Sequence, residues 1–255
     1  MQRIDFSVFT KPWPDLPVDR LGRKLAGLGF DGVELPVRPG FQVEPQDAEQ
    51  TLPDTVRRLA DAGLHTFSVA GEIDEPMFAA CAAAAVPMIR IMAPIGPDGY
   101  LASEQRMRSR LEAAVPLCER YQIRVGIQQH HGRFVSTSAG LRRLVGGLPT
   151  RHICAVWDAG HDALAGEEPD LGLEQVWSYL GMVNLKSAYY RKSSGAWKAH
   201  FVDGTSGLAR WPDVVAYLVK RSYSGVLCLT AQYSVADALD DLVAGDLRYA
   251  RSLFY

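Results

Sequence analysis

No apolar run in this 255-residue chain approaches the ~20 residues that a membrane span requires. Neither sign of charge is in excess. The chain carries 27 Lys and Arg against 29 Asp and Glu, a formal net charge of −2, which gives no electrostatic case for binding nucleic acid. Cysteine is scarce: Cys81, Cys118, Cys154 and Cys228 are scattered through apolar settings and form no Cys-x-x-Cys pair. Free buried thiols in a reducing compartment are expected from this, rather than disulfides or a thiolate metal site. The opening Met1-Gln-Arg-Ile-Asp-Phe lacks the basic-then-apolar order of a secretory signal. Together these absences predict a cytoplasmic protein with no membrane partner. No Ser/Gly-rich linker or charge block divides the chain either. With 47% hydrophobic residues it can bury a full core, so one domain over 1–255 is expected.

What is present is alternation. Short β-rich runs at 4–9, 29–35, 65–70, 88–92, 124–129, 153–158, 183–186 and 226–231 are separated by helical patterns. The helical patterns fall at 18–28, 54–62, 76–85, 104–121, 139–145, 171–180, 211–221 and 235–254. In the first helix Leu21, Leu25 and Leu28 share a face. Pro53 at the start and Gly63 past the end bracket the second. The strands are short and continuously apolar, as strands covered by helices on both faces are. Eight such units in this length predict an α/β chain folded as a closed (β/α)8 barrel. A doubly wound open sheet is the alternative, but it usually opens with a Gly-rich loop after its first strand. Here Thr10-Lys-Pro-Trp-Pro14 occupies that place and cannot make the turn.

Three stretches at strand ends carry the chemistry: Ile127-Gln-Gln-His-His-Gly132, Trp157-Asp-Ala-Gly-His161 and Asn184-Leu-Lys-Ser187. With Leu28-Gly-Phe-Asp-Gly-Val-Glu-Leu35 before them and Ser222-Tyr-Ser-Gly-Val-Leu-Cys-Leu-Thr-Ala-Gln-Tyr-Ser234 after them, the chain resembles the xylose isomerase-like sugar isomerases and epimerases along its whole length. The resemblance implies a TIM barrel with its site at the C-terminal mouth. In that family a Glu, an Asp, a His and a second Glu hold one divalent ion. The ion polarises a carbonyl and its neighbouring hydroxyl, and carboxylates move protons between adjacent carbons.

Carried over position by position, the first ligand falls on Gln129, the second on Asp158 and the third on Asn184. The last falls on Thr230, or on Gln232 with two residues of slippage. One carboxylate among amides and a hydroxyl gives little charge to offset the dehydration of a divalent ion. No metal and no other cofactor is therefore expected. Amides do not titrate usefully, yet they hydrogen-bond sugar hydroxyls well. Gln129, Asn184, Thr230 and Gln232 are accordingly expected to touch substrate.

The expected acid/base groups are Asp158, His161, Lys186, Glu34 and His131. His161 matches the family's substrate-contacting His. The alternatives are a helix-capping Asp158, a hydrogen-bonded loop His161, a solvated rim Lys186 and a salt-bridged Glu34. Adjacent residues of a strand point to opposite faces. If Gln129 faces the barrel interior, His131 shares its side and His130 does not. A His131–His161–Asp158 metal site is a further alternative, although the family geometry keeps the two rings apart. The polar stretch 189–210, with Trp197, His200 and Asp203, is expected to cover the catalytic face as a long loop. Trp13, Tyr189 and Trp197 suit stacking on a sugar ring or plain packing.

These residues predict an isomerase- or epimerase-type enzyme working without metal on a small polyhydroxylated carbonyl compound. A cationic Lys or His would then stabilise the enediolate. A lyase or dehydratase needs the same groups. A non-catalytic sugar binder is the alternative from another class. A barrel nuclease with three zinc ions needs more His, Asp and Glu at strand ends than this chain has. A homodimer is the candidate assembly.

Overall fold

The computed structural model describes residues 3–254. Its strands are β1 Ile4–Phe9, β2 Gly32–Pro36, β3 His65–Ala70, β4 Met88–Met92, β5 Arg124–Gln128, β6 Ile153–Asp158, β7 Leu180–Leu185, β8 Ser187–Ser193, β9 Ala196–Val202 and β10 Gly225–Leu229. Strands β1 to β7 run in sequence around a closed parallel barrel, and β10 joins β7 to β1. Strands β8 and β9 stand apart as an antiparallel hairpin. The helices are α1 Val18–Leu28, α2 Ala48–Asp61, α3 Glu75–Ala83, α4 Tyr100–Tyr121, α5 Ser138–Val145, α6 Ala159–Leu164, α7 Pro169–Val176, α8 Trp211–Lys220 and α9 Leu239–Ser252. The α/β barrel expected from the alternation is the one observed. Among the described residues no helix is long and apolar enough to cross a membrane. All four cysteines are free and buried.

The period of two along each strand sorts side chains into two cores. Ile89, Ile91, Val125 and Ile127 point outward into the large layer between barrel and helices. Phe9, Ala70, Met88, Cys154, Val156, Met182 and Cys228, from six of the barrel strands, form a separate cluster along the barrel axis. Space on the axis is tight. A Cβ on Gly126 would lie 2.7 Å from Val156 Cγ2 and 2.9 Å from Met88 Sδ, so β5 has room for no side chain there.

Helix α2 and the stretch 189–210 differ most from the sequence expectation, and α6 is not expected from it. Helix α2 begins well before residue 54, preceded by a 3-10 turn at Pro45–Asp47, and Pro53 lies inside it. Burial of Ala48, Leu52, Thr55 and Leu59 on one face outweighs the hydrogen bond that Pro53 cannot make. The stretch 189–210 is not a loop throughout, because 187–202 forms the hairpin. Ser194 and Gly195 both take positive φ, 49° and 79°, the two-residue turn that matches strand twist. A Ser-Gly pair between β-compatible runs is the signal for it.

Helix α6 is short and rests on two carboxylates. Asp158 caps its first turn, its Oδ1 accepting from the Gly160 and His161 amides at 3.1 Å. Asp162 is buried and accepts from Ser138 Oγ at 2.6 Å and Trp157 Nε1 at 3.1 Å. It thereby ties α6 to α5 and β6. A Cβ on Gly172 would meet both Asp162 carboxylate oxygens at 2.8 Å, so α7 must carry glycine where it crosses this cluster. Burial first, then the neighbouring Glu167 carboxyl, push Asp162 up to about 8.

The linkage sign follows from proton counts. Between the ordinary Asp value of about 3.9 and the raised folded value, the native state holds a proton that the unfolded chain has lost. Stability from this group is full below about pH 4 and falls as pH rises towards 8. Asp162→Asn keeps the shape and stays neutral. Its melting temperature relative to the parent is expected to climb steadily from about pH 5 to about pH 8. A difference that stays constant over that range would refute the protonated Asp162.

Candidate active site

The strand ends at the C-terminal mouth of the barrel surround a cavity of about 370 Å³. That is the small end of the range for ligand pockets, about 300–1,000 Å³. Its floor is polar, and its polar groups form one continuous chain. Glu34 on β2 is fully buried and takes a two-pronged ion pair from Arg90 on β4: Nε to Oε1 at 2.7 Å and an NH2 nitrogen to Oε2 at 2.8 Å. Ser68 Oγ donates to the same carboxylate at 2.9 Å. The remaining Arg90 nitrogen donates to Gln128 Oε1 at 2.6 Å. That bond turns the Gln128 amide so that Nε2 donates to Asp158 Oδ2, also at 2.6 Å. Asn184 Nδ2 reaches the same oxygen at 3.4 Å and Lys186 Nζ lies 3.5 Å from it. Lys186 Nζ is in turn 2.9 Å from His161 Nε2, and His161 Nδ1 is 3.0 Å from His131 Nδ1.

The electrostatics follow from this packing. Lys186 is 6% exposed. Burial lowers its pKa, and Asp158 opposes that fall without cancelling it. Burial, then the Lys186 charge, hold His161 well below the ordinary imidazole range. The same two causes lower His131. Burial brings His130 down to about 4. All three rings are therefore neutral near pH 7. The hairpin closes over this end: Phe201 of β9 sits with its ring centroid 5.5 Å from Lys186 Nζ and 5.7 Å from that of His131.

Asp158, Asn184, Lys186, Thr230 and Gln232 come together as the sequence suggested, with Asp158 just beneath the cavity floor. His161 joins them through Lys186. Other expectations are corrected. Gln129 does not face the interior. It lies outside the barrel axis, accepting from Asp158 N at 3.2 Å and donating to Asp158 O at 3.4 Å, and so clamps the ends of β5 and β6. Gln128 takes the inward place, because Gly126 and Gln128 alternate with the outward Val125 and Ile127. His130, not His131, lines the cavity. Glu34 is a poor base, since Arg90 and Ser68 donate three hydrogen bonds to its carboxylate and the guanidinium lies against both oxygens.

The aromatic expectations also shift. Trp13 is 8% exposed, packs in the core and donates to Asp240, so it does not stack on a ligand. Trp197 is 68% exposed on the hairpin, away from the cavity. His200 pairs across the hairpin with Tyr189 and lies in a shallow groove beside Arg191 and Lys198.

Sequence reasoning missed Arg90, Gln128, Lys11, Arg38 and Phe201. For the first two the signal was alternation within the strand. Ile89 and Ile91 belong to the helix layer, which turns the intervening arginine onto the barrel axis.

The family's divalent ion does not fit the residues at its position. Both oxygens of Asp158 are occupied by donors. The neighbouring charges are a buried ammonium and a buried guanidinium, which repel a cation. A different set does come together, contrary to expectation. His130, His131 and His161 each offer one ring nitrogen within 4.8 Å of the others. The Lys186 ammonium against His161 counts against a cation there as well.

No curated protein sequence matches the chain significantly. Solved structures do. D-psicose 3-epimerase from Clostridium cellulolyticum H10, with D-tagatose, is 14% identical with a TM-score of 0.76, over 98% of this chain and 99% of that one. The 3-keto-D-glucoside 4-epimerase from E. coli is 14% identical with a TM-score of 0.77, over 98% of this chain and 100% of that one. A probable 3-DHS dehydratase from Bacillus anthracis is 13% identical with a TM-score of 0.74, over 97% and 98%. At such identities the likeness is one of fold. Residues 23–253 match the sequence model of the xylose isomerase-like TIM barrel, and the chain belongs to that family.

Proposed function

We propose that the chain catalyses proton transfer on a small polyhydroxylated carbonyl compound, in an isomerase- or epimerase-type reaction. Arg90 supplies the positive charge at the reacting centre in place of a divalent ion, and Lys186 serves as the base. The observation that carries this reading is the Lys186 amine, buried at the cavity wall between Asp158 Oδ2 at 3.5 Å and His161 Nε2 at 2.9 Å. Burial depresses its pKa, so the neutral amine is populated nearer to neutral pH than that of an ordinary lysine.

In the proposed step that amine removes the proton from the carbon beside the substrate carbonyl. The C–H electrons form a C–C double bond, and the carbonyl oxygen becomes an enediolate anion. Arg90, held rigid by Glu34, stabilises the anion as it forms. Asp158 stabilises the ammonium just created. For isomerisation the amine returns the proton to the neighbouring carbon while the adjacent hydroxyl proton passes to the former carbonyl oxygen. For epimerisation the planar intermediate turns over before the amine returns the proton to the opposite face of the same carbon. Loss of a β-hydroxyl from the same intermediate would give a dehydratase, and the product distinguishes the two.

Two buried polar atoms of cavity-lining residues have no hydrogen-bond partner among the described residues, Asn184 Oδ1 and Thr230 Oγ1. Such atoms cost free energy unless something hydrogen-bonds them. Substrate hydroxyls would do so, and Gln232 lines the same wall. Pairing of β1 with β10 closes one sheet from the two ends of the chain, which supports one domain over 1–255. The free buried thiols support a cytoplasmic setting.

Lys186→Met, which removes the amine and keeps the stem, is expected to lower kcat by about 10²–10⁴-fold with the fold intact. In the parent, kcat/KM is expected to rise with pH as Lys186 deprotonates, and to level off below the ordinary lysine value of about 10.4. Polyol binding without turnover in the parent would instead favour the non-catalytic sugar binder.

The charge arrangement also makes a prediction about metal. Dialysis against a chelator should leave turnover unchanged. Added Mn²⁺ or Co²⁺ should not raise the melting temperature, as a bound ion would by mass action. A stoichiometric ion that survives the chelator would overturn the metal-free reading. Its loss in His131→Ala would place it on the three imidazoles.

A further inference from the structure

The cavity rim holds charge that the floor chemistry does not use. Lys11 follows the end of β1 and Arg38 follows the end of the neighbouring β2, and both line the cavity. Neither side chain makes a hydrogen bond or an ion pair among the described residues. Arg38 has only a loose contact over the Phe9 ring, at 5.9 Å. A third cation, Arg90, lies over the same ring at 5.0 Å, and Glu34, which also attracts Arg38 without touching it, accepts its hydrogen bonds from Arg90 and Ser68. The three cations repel one another: beyond the effect of burial, Lys11 is lowered by Arg38 and Arg90, and Arg38 by Arg90.

A fold gains nothing from such a cluster by itself. Exposed like charges destabilise the compact state. Most arginines on this chain's surface do have carboxylate partners, such as Arg58 with Asp19 and Arg106 with Asp98. The unpartnered pair faces the cavity that Asn184 and Thr230 also line, and the buried Asn184 Oδ1 and Thr230 Oγ1 have no hydrogen-bond partner among the described residues. Two cations with no ion-paired carboxylate, and two residues that each carry an unpartnered polar atom, thus line one small space.

We infer that Lys11 and Arg38 form an anion subsite, and that the substrate is a small polyol or keto compound carrying a carboxylate or phosphate. The guanidinium offers a planar fork that matches either group with two parallel hydrogen bonds, and the ammonium adds a point charge. The anionic end anchors at the rim, and the hydroxylated end reaches Asn184 and Thr230. The carbonyl carbon is then held at the floor beside Lys186. That this occupant is the substrate rests on the proposed function. The anion subsite itself can be tested without it.

The probes are inorganic phosphate, glycolate and, as the neutral control, glycerol. Each is titrated into the full chain at low ionic strength by calorimetry and followed by thermal shift. Phosphate or glycolate is expected to bind saturably, more tightly than glycerol, and more weakly as salt is added. The anion that binds tighter identifies the end group. Lys11→Gln and Arg38→Gln are each expected to weaken that anion about 10-fold, and the double variant about 100-fold. Lys11→Arg should retain binding. Without ligand, the Gln variants should melt no lower than the parent, because the substitutions relieve repulsion; a purely structural role would lower them. Anion affinity unchanged in the double variant, or no greater than that of glycerol in the parent, would overturn the subsite. The outcome is separable from the catalytic reading. If Lys186→Met keeps full turnover while anions still bind through Lys11 and Arg38, the proposed reaction fails and the subsite stands.

Discussion

A guanidinium inside a barrel is the constraint around which this site is arranged. Arg90 is only 5% exposed, so its charge has lost most of its hydration. Burying such a charge alone is prohibitive, and removing one partner of a buried pair costs about 3–5 kcal/mol. Glu34 must therefore be present, ionised and correctly oriented. Glu34 takes donors from two of the three guanidinium nitrogens, and Gln128 Oε1 accepts from the third. An amide that accepts on one side donates on the other, so Gln128 is committed to Asp158. A carboxylate at position 128 would also accept from Arg90, but it would face Asp158 as a second anion. The amide is the group that lets the chain of donors and acceptors continue across the barrel.

Asp158 is where this chain meets the backbone. One of its oxygens caps α6 and the other collects donors from the floor, so a single side chain sets both the start of that helix and the position of Lys186. Helix α6 in turn carries His161 to Lys186, and Asp162 locks the helix to α5 and β6. Local structure, packing and chemistry are thus coupled through residues adjacent in sequence. The hairpin adds the last element: Phe201 lies across Lys186 and His131 and limits their access to water. A drier amine is a stronger candidate base, because loss of hydration disfavours its charged form.

The barrel was legible because its signal is repeated. Eight apolar runs separated by amphipathic helices admit few other folds, and β1, β3, β4 and β6 have the bounds read from the sequence. The site was less legible, for a reason of register. Gln128 and Gln129 are chemically identical neighbours, and a motif match cannot tell which faces in. Alternation with Val125 and Ile127 can, and it moves the inward place by one residue. The same rule turns Arg90 onto the axis. For Glu34 the sequence left an acid/base group and a salt-bridged carboxylate both open, because its partner lies two strands away, a relation that sequence order does not display. Trp13 and Trp197 were ambiguous for a different reason. Aromatic residues suit cores, ligand faces and exposed hairpins alike, and only the fold decides which of these a given ring occupies.

The distribution of charge within the cavity separates two tasks. At the floor, Glu34 balances Arg90 and Asp158 balances Lys186, so the region where the proposed bond changes occur is close to neutral overall while holding strong local fields. Such a region can stabilise an anion that forms during reaction without binding an anionic ground state tightly, which is the differential that accelerates a chemical step. At the rim, Lys11 and Arg38 are unbalanced, and their attraction acts on charge that a ligand already carries. A substrate anchored there contributes binding energy remote from the reacting carbon, and that energy serves orientation rather than chemistry. In a cavity this small the two regions are within reach of one small molecule.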